Sequence, residues 1–147
     1  MFRLALLLMA AWPAAASLPC WVNGAAAAGS HVWLLCERGE VLHTADQGAN
    51  WTRTRVAEDV KLRDIVFLDQ NRGFIVGDAG SVWRTADAGR TWTRANPPID
   101  DPLNSITAVG GRLWAGGYSG TVFHSPDGGA TWVRQHTTAT RAINDIF

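Results

Sequence analysis

Eight residues recur three times along this chain: Thr44-Ala-Asp-Gln-Gly-Ala-Asn-Trp51, Thr85-Ala-Asp-Ala-Gly-Arg-Thr-Trp92 and Ser125-Pro-Asp-Gly-Gly-Ala-Thr-Trp132. The copies begin 41 and then 40 residues apart. A fixed period of that size marks a fold stacked from one supersecondary unit. Each copy carries the chemistry of a tight turn. Asp46, Asp87 and Asp127 are expected to accept backbone amides one or two residues on. Gly48, Gly89 and Gly129 lack a Cβ and so take positive φ without steric cost. The hydroxyls of Thr44, Thr85 and Ser125 are placed to tie the far side of the turn. Trp51, Trp92 and Trp132 then each bring an indole of roughly 200 Å² to bury between neighbouring sheets.

Aligning the octapeptides aligns the rest of the chain. Val22, Leu62, Leu103 and Ile143 open short alternating runs, which read as strands. A second run follows a turn at His31-Val-Trp-Leu-Leu35, Gly73-Phe-Ile-Val76 and Arg112-Leu-Trp-Ala115. Gly39, Gly80 and Gly120 end the next turn, and a third run leads into the octapeptide at Val41-Leu-His-Thr44, Val82-Trp-Arg-Thr85 and Val122-Phe-His-Ser125. A fourth strand is expected to begin at each Trp. Four antiparallel strands per repeat, with no helical period, specify an all-β partial β-propeller. Its expected blades are 22–61, 62–102 and 103–142, with 143–147 opening the first strand of a fourth.

The octapeptides resemble the Asp-box, or BNR, repeat, Ser/Thr-x-Asp-x-Gly-x-Thr-Trp. The second copy matches at every defined position, and the first departs at Asn50. With the Gly77-Asp-Ala-Gly80 turn, the run Ile75-Val-Gly-Asp78 and the strand Asp64-Ile-Val-Phe67, residues 22–147 are similar to the photosystem II stability/assembly factor family. That resemblance implies an exported, non-enzymatic propeller that binds other proteins while membrane complexes assemble.

The first residues have their own pattern. Met1-Phe2-Arg3 is a short basic start, Leu4 to Trp12 is apolar, and Ala14-Ala15-Ala16 precedes Ser17. This is the pattern of a cleaved secretory leader at 1–16, too short to anchor a mature chain in a bilayer. Pro13 disfavours the alternative of a buried N-terminal helix, and Pro19 disfavours a lipid-modified Cys20. No membrane span is expected in the mature chain, which would reside in the periplasm or outside the cell. Export places Cys20 and Cys36 in an oxidising compartment, where a hairpin about Gly29-Ser30 would bring them together as a disulfide. The alternative is two buried thiols.

Formal net charge is +0, so no global field recruits nucleic acid. No cofactor and no metal are expected. His43 and His124 occupy one repeat position in separate blades, and His31 and His136 lack zinc-site spacing, so the histidines read as edge or solvated residues. Each octapeptide carries one carboxylate, where a calcium loop requires several oxygen ligands. Asp-boxes also occur in sialidases, which need a Tyr nucleophile, paired carboxylates and an arginine cluster. Tyr118 is the single tyrosine here and lies in a turn, so no catalytic residue is assigned.

Arg53, Arg94 and Arg134 each follow an octapeptide Trp by two positions. They either discourage edge pairing or offer guanidinium groups to an acidic partner. Three blades fall short of the roughly four to eight of closed propellers. Either the chain is a piece of a longer propeller, or copies combine into one ring. The function expected is a protein-interaction scaffold. The rival is a carbohydrate-binding module or part of a sialidase-like glycoside hydrolase.

Overall fold

The computed structural model describes residues 20–58, 60–95 and 97–147. The leader expected at 1–16 lies outside them. Among the described residues twelve strands form three four-stranded antiparallel sheets. The first runs in the order β1 (Val22–Ala28), β2 (His31–Cys36), β3 (Glu40–Thr44), β4 (Thr52–Arg55). The second comprises β5 (Leu62–Phe67), β6 (Gly73–Gly77), β7 (Val82–Thr85) and β8 (Thr93–Ala95). The third comprises β9 (Leu103–Val109), β10 (Arg112–Gly117), β11 (Val122–Ser125) and β12 (Val133–Gln135). Up-and-down order within each sheet follows from short turns, which can only join antiparallel neighbours.

The sheets stack as propeller blades do, because strand alternation gives each sheet two apolar faces. Trp33, Leu35 and Val41 of the first sheet pack on Leu62, Ile65 and Ile75 of the second. Phe74, Val76 and Val82 of the second pack on Leu103, Ile106, Leu113 and Phe123 of the third. Trp33 is fully buried; its ring stacks on Phe67 with centroids 3.5 Å apart, and its Nε1 donates to the Ala88 carbonyl at 2.8 Å. That one side chain therefore contacts the second sheet through both apolar and polar atoms.

The fourth strand begins one residue later than the sequence suggests, after Trp51, Trp92 and Trp132 rather than at them. The indole is drawn into packing instead of the ladder. Trp92 packs between the first and second sheets and Trp132 between the second and third. Trp51 lies instead with Leu34, Cys36 and Leu42 on the far face of the first sheet. Residues 143–147 form no strand. Their backbone bonds reach the third sheet only at Ile143, whose N–H donates to the Gly117 carbonyl at 2.8 Å, and at Ile146, whose N–H donates to Ser105 Oγ at 3.2 Å. Without a ladder of their own, these residues hang on the neighbouring sheet by side chains, Ile143 and Ile146 both lying over Gly116.

Candidate functional site

Each Asp-box is a closed hydrogen-bond unit. Thr85 Oγ1 donates to Asp87 Oδ1 at 2.8 Å and accepts the Gly89 N–H at 2.9 Å. Asp87 then accepts the Thr91 backbone N–H at 2.9 Å and its hydroxyl at 2.6 Å. Asp46 does the same with Asn50, and Asp127 with Thr131. The carboxylates therefore reach four residues on, not one or two. The nearer amides, of Gly48, Gly89 and Gly129, are already taken by Thr44, Thr85 and Ser125. Asn50 replaces the usual Thr at no loss, since its Nδ2 donates to Asp46 Oδ2 at 2.8 Å.

These bonds favour the ionised carboxyl. Donation from Asn50, Thr91 and Thr131 pulls Asp46, Asp87 and Asp127 each down to about 2. A carboxylate so held stays ionised at neutral pH, which keeps the hydrogen bonds of its turn in place. Their glycines also do more than turn the chain. A Cβ on Gly89 would lie 3.1 Å from Trp33 Nε1, and one on Gly129 would lie 2.4 Å from Phe74 Cε1. The box of each following sheet docks on an aromatic residue of the sheet before it.

The opposite rim carries the turns after β2, β6 and β10 and the connectors between sheets, and here a second repeat appears. The first strand of each sheet shifts register near its start, between Val22 and Gly24, between Leu62 and Asp64, and opposite Gly116 and Gly117. Asn23, Arg63 and Asn104 are the residues left out of register. A bulge re-aims the side chain it frees, and all three turn toward the next repeat. Asn23 Nδ2 donates to the Leu62 carbonyl at 3.4 Å and Asn104 Nδ2 to the Ile143 carbonyl at 3.1 Å. Arg63 donates through Nε to Asp78 at 2.6 Å and through Nη1 to Asn104 at 3.2 Å, with its guanidinium 5.5 Å from the Tyr118 ring centre.

One residue further along β5, Asp64 accepts the Ile106 N–H at 2.8 Å and the Ser105 hydroxyl at 3.0 Å from the next sheet. Burial pushes the Asp64 carboxyl up despite those donors.

Two adjoining clefts open on this rim. The larger, about 810 Å³, is lined by Asn23, Arg38, Arg55 and Lys61 among others, and the smaller by Asn23, Lys61, Arg63, Asn104 and Asn144. Arg55 is committed to Glu40 at 3.1 Å and Glu58 at 3.7 Å. Arg38 and Lys61 are exposed and make no ion pair among the described residues. Arg38 is held at φ 60 in the turn that Gly39 closes. Exposed Trp21 and Tyr118 flank the same rim. Glu37 and Glu58 line the larger cleft beside these cations.

The three outer arginines are not brought together. Arg53, Arg94 and Arg134 lie on β4, β8 and β12, opposite Leu42, Trp83 and Phe123 respectively. Arg53 pairs with Glu40 at 3.3 Å and Arg134 approaches Asp101 at 4.0 Å. Arginine stems over apolar cross-strand neighbours cover sheet edges. Cys20 and Cys36 are joined by a disulfide at the open end of the first hairpin, their Cα atoms 5.7 Å apart. The histidine pair differs from the edge reading: His31 Nδ1 and His43 Nε2 are 2.9 Å apart, and both rings stack on Trp33. Burial, then His31 and Arg90, lower the His43 pKa. Among the described residues no three histidine, cysteine or carboxylate side chains converge as a metal site would require.

Three stacked four-stranded sheets, locked by Asp-boxes on one rim and by bulged inner strands on the other, define an all-β propeller of the BNR type. Residues 54–141, more than half of the chain, match the family described as Photosynthesis system II assembly factor YCF48, and the chain belongs to that family.

Solved structures agree on the fold. A structure described as YCF48 bound to D1 peptide is similar at 22% identity and TM-score 0.69, over 84% of this chain and 44% of that one. YCF48 from Cyanidioschyzon merolae is similar at 21% identity and TM-score 0.66, over 80% and 41%. An ancestral GH74 enzyme is similar at 14% identity and TM-score 0.67, over 82% and 19%. The chain thus spans about two-fifths of the length of the two YCF48 structures. No curated protein matches it.

Proposed function

We propose that this protein is an exported, non-enzymatic scaffold that holds an extended, acidic segment of a partner protein on the connector rim, around Arg38, Lys61 and Arg63. The observation that carries the reading is the recurring bulge. It aims Asn23, Arg63 and Asn104 at one rim, beside Arg38 and Lys61, which make no ion pair among the described residues. Family membership supports a role in assembly rather than turnover, and the relative bound to a D1 peptide makes a peptide the natural class of ligand. The leader pattern at 1–16 and the Cys20–Cys36 disulfide support export. Likeness to GH74 enzymes extends to the fold alone.

Fluorescence anisotropy with a labelled Asp/Glu-rich peptide tests the site. Arg38→Glu with Lys61→Glu should weaken binding at least tenfold, which is about 1.4 kcal/mol, while Arg94→Ala with Arg134→Ala should leave it unchanged. The reading fails if the outer pair abolishes binding and the rim pair does not. Intact mass of the secreted protein tests export: the mature chain should begin at Ser17, and retention of Met1 in a cytosolic product would contradict it.

A further inference from the structure

The sheet that carries Arg38 closes its connector end differently from the other two. Cys36, Gly77 and Gly117 stand at one repeat position, opposite Val22, Leu62 and Leu103 on the first strands. In all three sheets the next residue's N–H donates to the connector: Glu37 to the Trp21 carbonyl at 3.0 Å, Asp78 to Lys61 at 3.0 Å and Tyr118 to Pro102 at 3.3 Å. Sheets two and three require glycine there, because a Cβ on Gly77 or Gly117 would run into the Lys61 or Pro102 carbonyl. Burial anchors the start of their first strands, with Leu62 and Leu103 at 1% and 0% exposure. The first sheet has the smaller Val22 and, in place of glycine, a cysteine whose side chain is bonded to Cys20.

That bond bears on the rim through the residues beside it. Asn23 follows one cysteine closely and Arg38 the other, and both line the larger cleft. Arg38 takes φ 60, as Ala79 and Ser119 take 52 and 55, and a non-glycine residue keeps such a conformation only where its surroundings impose it. On the far side of the turn the Gly39 carbonyl accepts the Val56 N–H at 2.8 Å. On the near side the constraint is the Glu37–Trp21 bond with the disulfide behind it. We propose that the Cys20–Cys36 disulfide gates the connector rim: oxidised, it holds Asn23 and Arg38 in the geometry that grips an acidic segment, and its reduction releases that grip. This gate rests on the peptide-binding role given above and adds its regulation. The reductant is a dithiol. Its thiolate attacks the half-buried Cys20 sulfur, the S–S bond breaks, and buried Cys36 leaves as a thiolate that takes up a proton. The second thiol of the reductant then displaces Cys20 as a thiol, and the reductant ends as a disulfide, two electrons poorer. Capture is thereby confined to an oxidising compartment, the kind that export reaches.

Fluorescence anisotropy of the labelled Asp/Glu-rich peptide, with and without dithiothreitol, tests the gate. The oxidised protein should bind at least fivefold more tightly than the reduced one, and reoxidation should restore the affinity. Cys20→Ser with Cys36→Ser should bind like the reduced protein and ignore dithiothreitol. Hydrogen exchange of the peptide-free protein gives a second reading: reduction should speed exchange at Glu37 while β6 and β10 keep their protection. Equal affinity in the two redox states overturns the gate and leaves the binding role standing. Unchanged exchange at Glu37 overturns it as well. So does loss of the far-UV spectrum on reduction, because the bond would then hold the fold and not the rim. Binding in neither state defeats the binding role, and the gate with it.

Discussion

The three box glycines offer a graded test of how the repeats hold one another. Gly48, Gly89 and Gly129 have φ of 96, 83 and 90. Alanine at any of them should therefore cost about 1–2 kcal/mol for the left-handed backbone alone. What differs is the surroundings of the new methyl group. On Gly48 it would meet nothing nearer than 3.7 Å. On Gly89 it would lie 3.1 Å and 3.3 Å from Trp33, which is fully buried and pinned to Ala88, adding about 1 kcal/mol of overpacking. On Gly129 it would lie 2.4 Å and 2.6 Å from the buried Phe74 ring, adding about 3 kcal/mol. Urea unfolding, at dilutions where the protein is monomeric, should rank the losses at about 1–2, 2–3 and 4–5 kcal/mol, read as shifts in midpoint at constant slope. Equal losses at all three positions would refute the reasoning. The glycines would then serve the turn only, and box-on-aromatic docking would not be what joins the sheets.

Acid should unfold the protein in two stages. His43 has a lowered pKa, so its contribution is whole above the ordinary 6.5 and fades as pH falls below it. The box carboxyls, about 2 when folded against 3.8, contribute fully above 3.8 and lose that contribution as pH falls toward 2. A melting-temperature profile against pH should show both, and Asp87→Asn should shrink only the lower one, with Asp46 and Asp127 keeping their share; a profile flat from neutrality to pH 2 would contradict both assignments. Asp64→Asn is isosteric but turns an amide N–H toward the donors on Ser105, Ile106 or Ile65, and should cost about 1–3 kcal/mol. An unchanged or raised melting temperature would show that Asp64 does not bridge the sheets. Replacing both cysteines by serine removes a link across 16 residues and should cost about 3 kcal/mol by loop entropy, read by the same denaturation.

The fold was legible because its repeat is written in residue types with few other uses. A Gly after an Asp and before a Trp, at one period, leaves little besides a turn into a strand. The strand starts at Val22, Leu62 and Leu103 followed from alternation, and the first hairpin followed from Gly29-Ser30. The reach of the box aspartates was less plain, since which amide returns to a carboxylate depends on how far the turn closes. Here two successive left-handed residues, such as Ala88 and Gly89, carry it to Thr91. The candidate site was hardly legible. Asn23, Arg63 and Asn104 look like ordinary solvent-facing alternates of a strand, and only the register shift in three dimensions turns them to one rim. Their shared offset within the repeat was the available signal. The outer arginines stood out in sequence because they follow a conspicuous Trp, yet a period along the chain spreads them over three separate sheets.

The central claim is a division of labour: boxes on one rim build the propeller, and cations on the other hold a partner. Amide-resolved NMR during titration of the acidic peptide tests it most directly. Shifts confined to Asn23, Arg38, Lys61, Arg63 and Tyr118, with Asp46, Asp87 and Asp127 undisturbed, are the predicted result. Shifts centred on the box turns, or none at the connector rim at saturating peptide, would contradict it.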